Sequence, residues 1–203
     1  MERPTNLIVV RHGETTVGSR RIAGGGSNPP LGAMGHAQAL ELASSFEGQI
    51  DATLASTLDR AGQMIAPLAR TRGLVVATTP LLNERKFGSF ERLTEEDQVD
   101  AARDALRDWW RSGQRTRRRT SVVPGMPNDA DFQQQIRALL DHVATNYPGQ
   151  TVVAGSHYDL ISTFVGMVDS AEMYHVENGG RVGVRVPRRG APTLIELEGI
   201  AKV

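Results

Sequence analysis

Short apolar runs and longer segments of helical periodicity alternate along this chain. Leu7-Ile8-Val9-Val10, Ala52-Thr53-Leu54-Ala55, Leu74-Val75-Val76-Ala77 and Thr151-Val152-Val153-Ala154 each suit a buried strand. Residues 34–46 set Ala37, Leu40, Ala43 and Phe46 on one side of a helix. Residues 57–72 do so with Leu58, Ile65, Leu68 and Ala69, and residues 129–146 with Phe132, Ile136, Leu139, Leu140 and Val143. The alternation predicts an α/β fold, a three-layer sandwich with a mostly parallel central sheet flanked by helices. The C-terminal part differs. Val182, Val184 and Val186 interleave with Arg181, Gly183 and Arg185, and Arg188-Arg189-Gly190 reads as a turn before Thr193–Leu197. That pattern predicts an antiparallel pair with an edge strand near the C-terminus.

Residues 95–119 carry a second kind of pattern. Val99, Ala102, Leu106, Trp109 and Trp110 make an apolar helical stripe, while Asp100, Asp104 and Asp108 stand three residues before Arg103, Arg107 and Arg111. Such pairs satisfy one another on a helix surface. Beyond Gly113 the pairing stops: Arg115, Arg117, Arg118 and Arg119 have no acidic neighbour on the C-terminal side before Asp129. This cluster is expected either to be floppy or to hold an anion.

Composition narrows the function. The chain has 203 residues, 39% of them hydrophobic and 23% charged, enough for one core and thin for two domains. With 23 basic and 23 acidic residues the formal net charge is zero, so binding to nucleic acid through global charge is not expected. The absence of Cys excludes disulfides, thiolate zinc sites and cysteine nucleophiles. No apolar run approaches the length of a membrane span, and Met1-Glu2-Arg3-Pro4 lacks the apolar stretch of a signal peptide. A cytoplasmic protein without membrane contact is expected. Lys86 and Lys202 are the only lysines. Base composition explains the arginine bias, although planar recognition of phosphate would also favour arginine.

Four residues share one structural context. Arg11 and His12 follow the first buried run, His157 follows the fourth, and Arg60 falls in the first turn after the second. Ser56-Thr57-Leu58-Asp59 and Ser156-His157-Tyr158-Asp159 both read as capping-box-like helix starts. Ligands of open α/β sheets sit beyond the carboxyl ends of the strands, where helix N-termini add N–H donors and a positive dipole end. Two histidines and two arginines on that rim suit a metal poorly: HExxH spacing is missing and arginines repel a cation. They suit a phosphoryl group well. Guanidinium forks grip its oxygens, and a neutral imidazole can attack phosphorus to form a phosphohistidine. Gly24-Gly25-Gly26-Ser27 resembles a phosphate cradle, but no Lys follows, so a flexible loop is expected. His36, His142 and His175 are assigned no role.

These residues resemble a family. Arg11-His12-Gly13-Glu14-Thr15 after a hydrophobic strand is similar to the signature of the histidine phosphatase superfamily, the phosphoglycerate-mutase-like proteins. Pro30-Leu31 with Gly35, Gln38 and Ala39 is similar to its "PLT..G..QA" segment. Ser56 through Arg60-Ala61 and Gln63 resembles "SSPL.RA.QTA". Leu82-Asn83-Glu84-Arg85 with Phe87-Gly88 resembles "LNER.FG". His157 stands at the family's second histidine, and Asn178 in a segment resembling a late "N". The resemblance runs from about residue 6 to about 186, with five motifs in order.

The resemblance implies one histidine-phosphatase-like domain over 1–203 with a cap-like insertion at about 89–128. It implies His12 as nucleophile, Arg11, Arg60 and His157 as ligands of the phosphoryl oxygens, and Glu84 as the acid that protonates the leaving oxygen and then activates water. No metal and no cofactor is implied; a small phosphorylated substrate is, with a homodimer possible in solution. The physical logic adds three expectations: a neutral His12 whose other ring nitrogen donates to a fixed acceptor, a His157 that acts as cation or donor, and a Glu84 of raised pKa. The chain departs from the pattern in Gly32 for Thr, Arg92 for Gly after Glu91, Pro124-Gly125-Met126-Pro127 for a "P-GES" segment, and Tyr158-Asp159 for Gly-Gly after the second histidine. Three activities stay open at this point: phosphomonoester hydrolysis of a small metabolite, phosphoglycerate-mutase-type transfer with Arg115–Arg119 as an extra anion site, and non-catalytic binding of a phospho-ligand or protein.

Overall fold

The computed structural model describes residues 3–169 and 174–202; Met1 and Glu2 lie outside the described residues. Six strands form one sheet: β1 (Thr5–Arg11), β2 (Ala52–Ala55), β3 (Val76–Thr78), β4 (Thr151–Ser156), β5 (Tyr174–Val186) and β6 (Thr193–Lys202). Their order is β3-β2-β4-β1-β5-β6. The β3–β2, β2–β4 and β4–β1 pairs are parallel, whereas β5 pairs antiparallel with both β1 and β6. The antiparallel pair expected from the alternating valines is therefore present, and β6 is the edge.

Alternation along β1 explains the three layers. Leu7 and Val9 point to one face and pack with Phe132, Ile136 and Phe164, from α5 (Asp129–Asn146) and α6 (Tyr158–Asp169). Ile8 and Val10 point to the other and pack with Leu42, Met64 and Leu68, from α1 (Ala33–Ser45) and α2 (Asp59–Thr71). A strand buried on both faces reads as an unbroken apolar run, and β1 does.

Two expectations shift in detail. The third strand starts two residues later than read, because Val75 is 87% exposed in the turn leading to the sheet edge. On α1 the buried stripe is Gly35, Ala39 and Leu42, not Ala37 and Leu40, which are exposed. Gly35 lets α1 approach the loop after β1, where a Cβ would strike the Glu14 carbonyl, so the helix meets that loop through its glycine. The α5 stripe stands except at its edge: Phe132, Ile136, Leu139 and Val143 are buried, and Leu140 is half-buried.

α3 (Glu96–Arg111) carries the acidic and basic pairs on its solvent face, Arg103 to Asp100 at 3.1 Å and Arg107 to Asp104 at 2.6 Å. Its apolar face packs Val99 and Ala102 on Ile22, Phe87 and Phe90, a small cluster separate from the two faces of the sheet. α4 (Gln114–Arg117) follows.

Candidate active site

Register places the candidate residues on one rim. Arg11 is paired with Ser156, and Ala55 with Gly155, so β1, β4 and β2 end level with one another. The next residues, His12, His157 and Ser56, leave the sheet side by side, with His12 N–H donating to Ser156 O at 3.0 Å and Ser56 N–H to Gly155 O at 3.0 Å. The two imidazoles meet edge to face, their centroids 5.1 Å apart. Gly155 matters here, because a side chain on it would run into the Ala61 carbonyl and lift α2, with Arg60, away from the rim.

His12 is held in one tautomer. Its Nδ1 donates to the Gly13 carbonyl at 2.7 Å, leaving the lone pair on Nε2, which accepts from Arg60 Nε at 3.2 Å. Burial, followed by the charge of Arg60, lowers the pKa of the ring to about 3. Arg60 is fully buried and its other nitrogens are fixed by carbonyls, NH1 donating to Ser27 O at 3.0 Å and NH2 to Gly24 O at 3.1 Å.

The glycine-rich loop is thus a brace for Arg60 and not the flexible segment expected. Gly25 N–H donates to Arg85 O at 2.8 Å and Gly26 N–H to Glu91 Oε1 at 3.1 Å. Backbone approaches so closely that a Cβ on Gly25 would collide with the Glu84 carbonyl.

His157 Nε2 and Ser56 Oγ share a hydrogen bond of 2.7 Å, and Nδ1 is buried without a partner. Burial, then the charges of Arg60, His12 and Arg11, hold its pKa well below the ordinary value. Burial, reinforced by the neighbouring arginines and His12, thus disfavours the cation considered from sequence and leaves His157 the donor role considered beside it. Arg11 donates through NH1 to Val176 O at 2.6 Å, lies 5.1 Å from the centre of the Tyr158 ring, and keeps Nε buried and unpartnered. Ring nitrogen and guanidinium N–H without partners at one rim suit an incoming anion.

Neither capping box forms. Ser56 Oγ accepts from Leu58 N–H at 3.1 Å, while Thr57 N–H and Asp59 N–H donate across the chain to Asn83 Oδ1 at 2.8 Å and Asn28 Oδ1 at 2.9 Å. Ser156 Oγ donates instead to Leu82 O at 2.8 Å. These side chains bind loops of the site together rather than closing their own helix.

Glu84 is buried next to this group, close enough for its charge to act on both Arg11 and Arg60. Its Oε1 accepts from Arg85 N–H at 2.9 Å and its Oε2 from Asp159 N–H at 3.1 Å. Burial first, and Asp159 second, raise its pKa to about 7.

The arginine cluster divides. Arg117 is buried and its Nε pairs with Asp129 Oδ2 at 2.9 Å, with the guanidinium 4.9 Å from the centre of the Trp110 ring. Arg115, Arg118 and Arg119 are exposed. Sequence distance hid the Arg117–Asp129 pair, because the partner is twelve residues away across a turn. Sequence reading also missed Ser56 as the partner of His157 and Arg85 as a buried ion-pair residue. Of the remaining histidines, His36 and His175 are exposed and His142 is half-buried.

Residues 7–183 match the family described as histidine phosphatase superfamily (branch 1). The chain belongs to the histidine phosphatase superfamily. Within reach of this superfamily, Bifunctional protein Rv2228c of Mycobacterium tuberculosis is 31% identical over 157 residues, which take in 76% of this chain and 41% of that protein. The chain thus spans about two fifths of the length of the curated relatives it matches at that identity. Adenosylcobalamin/alpha-ribazole phosphatase of Escherichia coli is 26% identical over 174 residues, 83% of each chain. Among solved structures, phosphoglycerate mutase from Bacillus anthracis has the same fold at a TM-score of 0.81, with 22% identity and coverage of 98% of this chain and 94% of that one. Probable phosphoglycerate mutase GpmB of Yersinia enterocolitica is 30% identical over 176 residues, 82% of this chain and 77% of that protein, so the curated relatives include proteins named as phosphatase and as mutase. Among the described residues of this superfamily member, no helix is long and apolar enough to cross a membrane.

Proposed function

We propose that this chain is a phosphomonoester hydrolase that acts on a small phosphorylated metabolite through a phosphohistidine intermediate. The observation that carries the reading is the fixed tautomer of His12, with Nδ1–H tied to Gly13 O and the Nε2 lone pair facing a guanidinium.

The roles follow from charge and geometry. A phosphoryl group reaching Nε2 takes over the Arg60 hydrogen bond on one of its oxygens, and Arg11 and His157 donate to the others. His12 Nε2 forms the bond to phosphorus as the bond to the leaving oxygen breaks, and Glu84, protonated near neutral pH, gives that oxygen its proton. The resulting carboxylate then takes a proton from water, which attacks phosphorus and releases inorganic phosphate and free His12. Residues 89–128 act as a cap beside the site mouth, supported by the packing of α3 on Ile22, Phe87 and Phe90.

Hydrolysis is favoured over mutase-type transfer by Arg117. A mutase must grip a second anionic group of its substrate, and the arginine cluster read as that grip has its central arginine committed to Asp129. Incubation with a panel of phosphorylated metabolites tests the reading. Release of inorganic phosphate is expected. Isomerisation without release, or binding without turnover, would overturn it.

A further inference from the structure

Tyr158-Asp159 stands directly after the second histidine, and Asp159 is 1% exposed. Its backbone N–H and that of Arg85 are the two donors that hold Glu84. The side chains of those two residues also bind each other: Arg85 Nε donates to Asp159 Oδ2. Arg85 is fully buried, and its remaining nitrogens donate to Asp129 Oδ1 and Pro127 O, each at 2.8 Å. The amides that clamp the carboxyl of Glu84 are thus locked to one another by a buried ion pair.

We propose that Asp159 is a positioning residue for the acid: its amide, with that of Arg85, orients the Glu84 carboxyl, and its buried carboxylate keeps the proton on Glu84. This rests on the reading of Glu84 as the general acid.

The physical argument is one of neighbouring charges. Two carboxyl groups in a dry site resist ionising together. Burial raises the pKa of Asp159, and the guanidinium of Arg85 acts against that, so of the two carboxyls Asp159 is the one with a direct cationic partner for its negative charge. Glu84 has only backbone amides, so it retains the proton. Arg60 from α2 and Arg11 from β1 face Glu84 as cations and pull in the opposite direction. Tyr158 adjoins it on α6, and Asp129 on α5 and Arg117 on α4 lie behind Arg85. Asp159 offsets the two cations Arg60 and Arg11 at Glu84.

The test is the pH dependence of kcat/KM on an alkyl phosphate, whose leaving oxygen needs a proton. Wild type, Glu84→Gln and Asp159→Asn are compared, with folding checked by circular dichroism. Asn keeps the backbone amide and the side-chain shape and removes the charge. The descending limb is expected to vanish in Glu84→Gln and to move about one pH unit toward acid in Asp159→Asn, roughly a tenfold loss at pH 8. A limb that vanishes in Glu84→Gln but stays in place in Asp159→Asn overturns the role of Asp159 alone. A limb that persists in Glu84→Gln overturns the acid assignment and this proposal with it. Should Asp159→Asn not fold, infrared spectra of wild type and Glu84→Gln at pH 6 replace it. A protonated-carboxyl band lost in Glu84→Gln with none left behind supports the proposal, and a buried protonated-carboxyl band that persists in Glu84→Gln overturns it.

Discussion

Nε of Arg60 donates to Nε2 of His12 across 3.2 Å, on the ring atom opposite the Nδ1 that donates to Gly13 O. The two contacts leave the imidazole a single arrangement: neutral, with its lone pair at the rim where β1, β2 and β4 end. A cation placed there also prevents protonation of the ring, which is the condition for nucleophilic attack.

Arg60 should therefore be irreplaceable by lysine. A lysine ammonium has no planar fork to satisfy the carbonyls of Ser27 and Gly24 while also reaching His12. Arg60→Lys is expected to lower kcat/KM on the order of 10²-fold, as for loss of one transition-state donor. Steady-state kinetics on any substrate found in the metabolite panel checks this. A variant within a few-fold of wild type would remove Arg60 from the phosphoryl site.

The pH profile follows from Glu84. Its folded pKa is raised to about 7, so the acid form is abundant below that pH and lost as pH rises through it. The pKa of His12 is lowered to about 3, so the nucleophile stays neutral across the whole working range. With an alkyl phosphate, kcat/KM should decline above about pH 7, with no acid limb from His12 until near pH 3. Glu84→Gln should slow alkyl phosphates far more than p-nitrophenyl phosphate, whose leaving group needs little proton help. Equal losses on both substrates would contradict the role.

Arg117 and its neighbours should behave oppositely. Arg117→Met leaves Asp129 with one guanidinium instead of two, and is expected to cost roughly 3 kcal/mol, a Tm drop of about 6–12 °C. Glutamine at the exposed Arg115 and Arg119 should change stability by no more than about 0.5 kcal/mol. Thermal denaturation of the three variants decides it, and equal Tm values would mean that the buried pair is not stabilising.

Much of this was legible from the sequence. β1 and β4, buried on both faces, appear as apolar runs, and the run Ala52–Ala55 coincides with β2. Arg11, His12, Arg60 and His157 were placed on one rim because each follows a predicted strand end closely. What escaped was side-chain partnership over long separations. Arg85 meets Asp159 and Asp129 at separations of 74 and 44 residues, and Ser56 meets His157 at 101. Local rules assigned Ser56 to a helix cap and Arg117 to an unpaired cluster, since capping and i,i+3 pairing are the only partnerships that spacing reveals. The α1 face was misread for a related reason. Gly35 packs by close backbone approach, which a hydrophobic pattern does not register.

The central claim is that His12 carries the phosphoryl group, and an alkaline quench during turnover tests it most directly. Phosphate attached to a histidine is labile to acid and stable to alkali, so radiolabelled substrate, alkaline quench and peptide mapping locate it. The account predicts label on the peptide containing His12, none in His12→Ala, and a loss of turnover in that variant on the order of 10⁴-fold or more. Near wild-type turnover by His12→Ala, or label on a different residue, would contradict it.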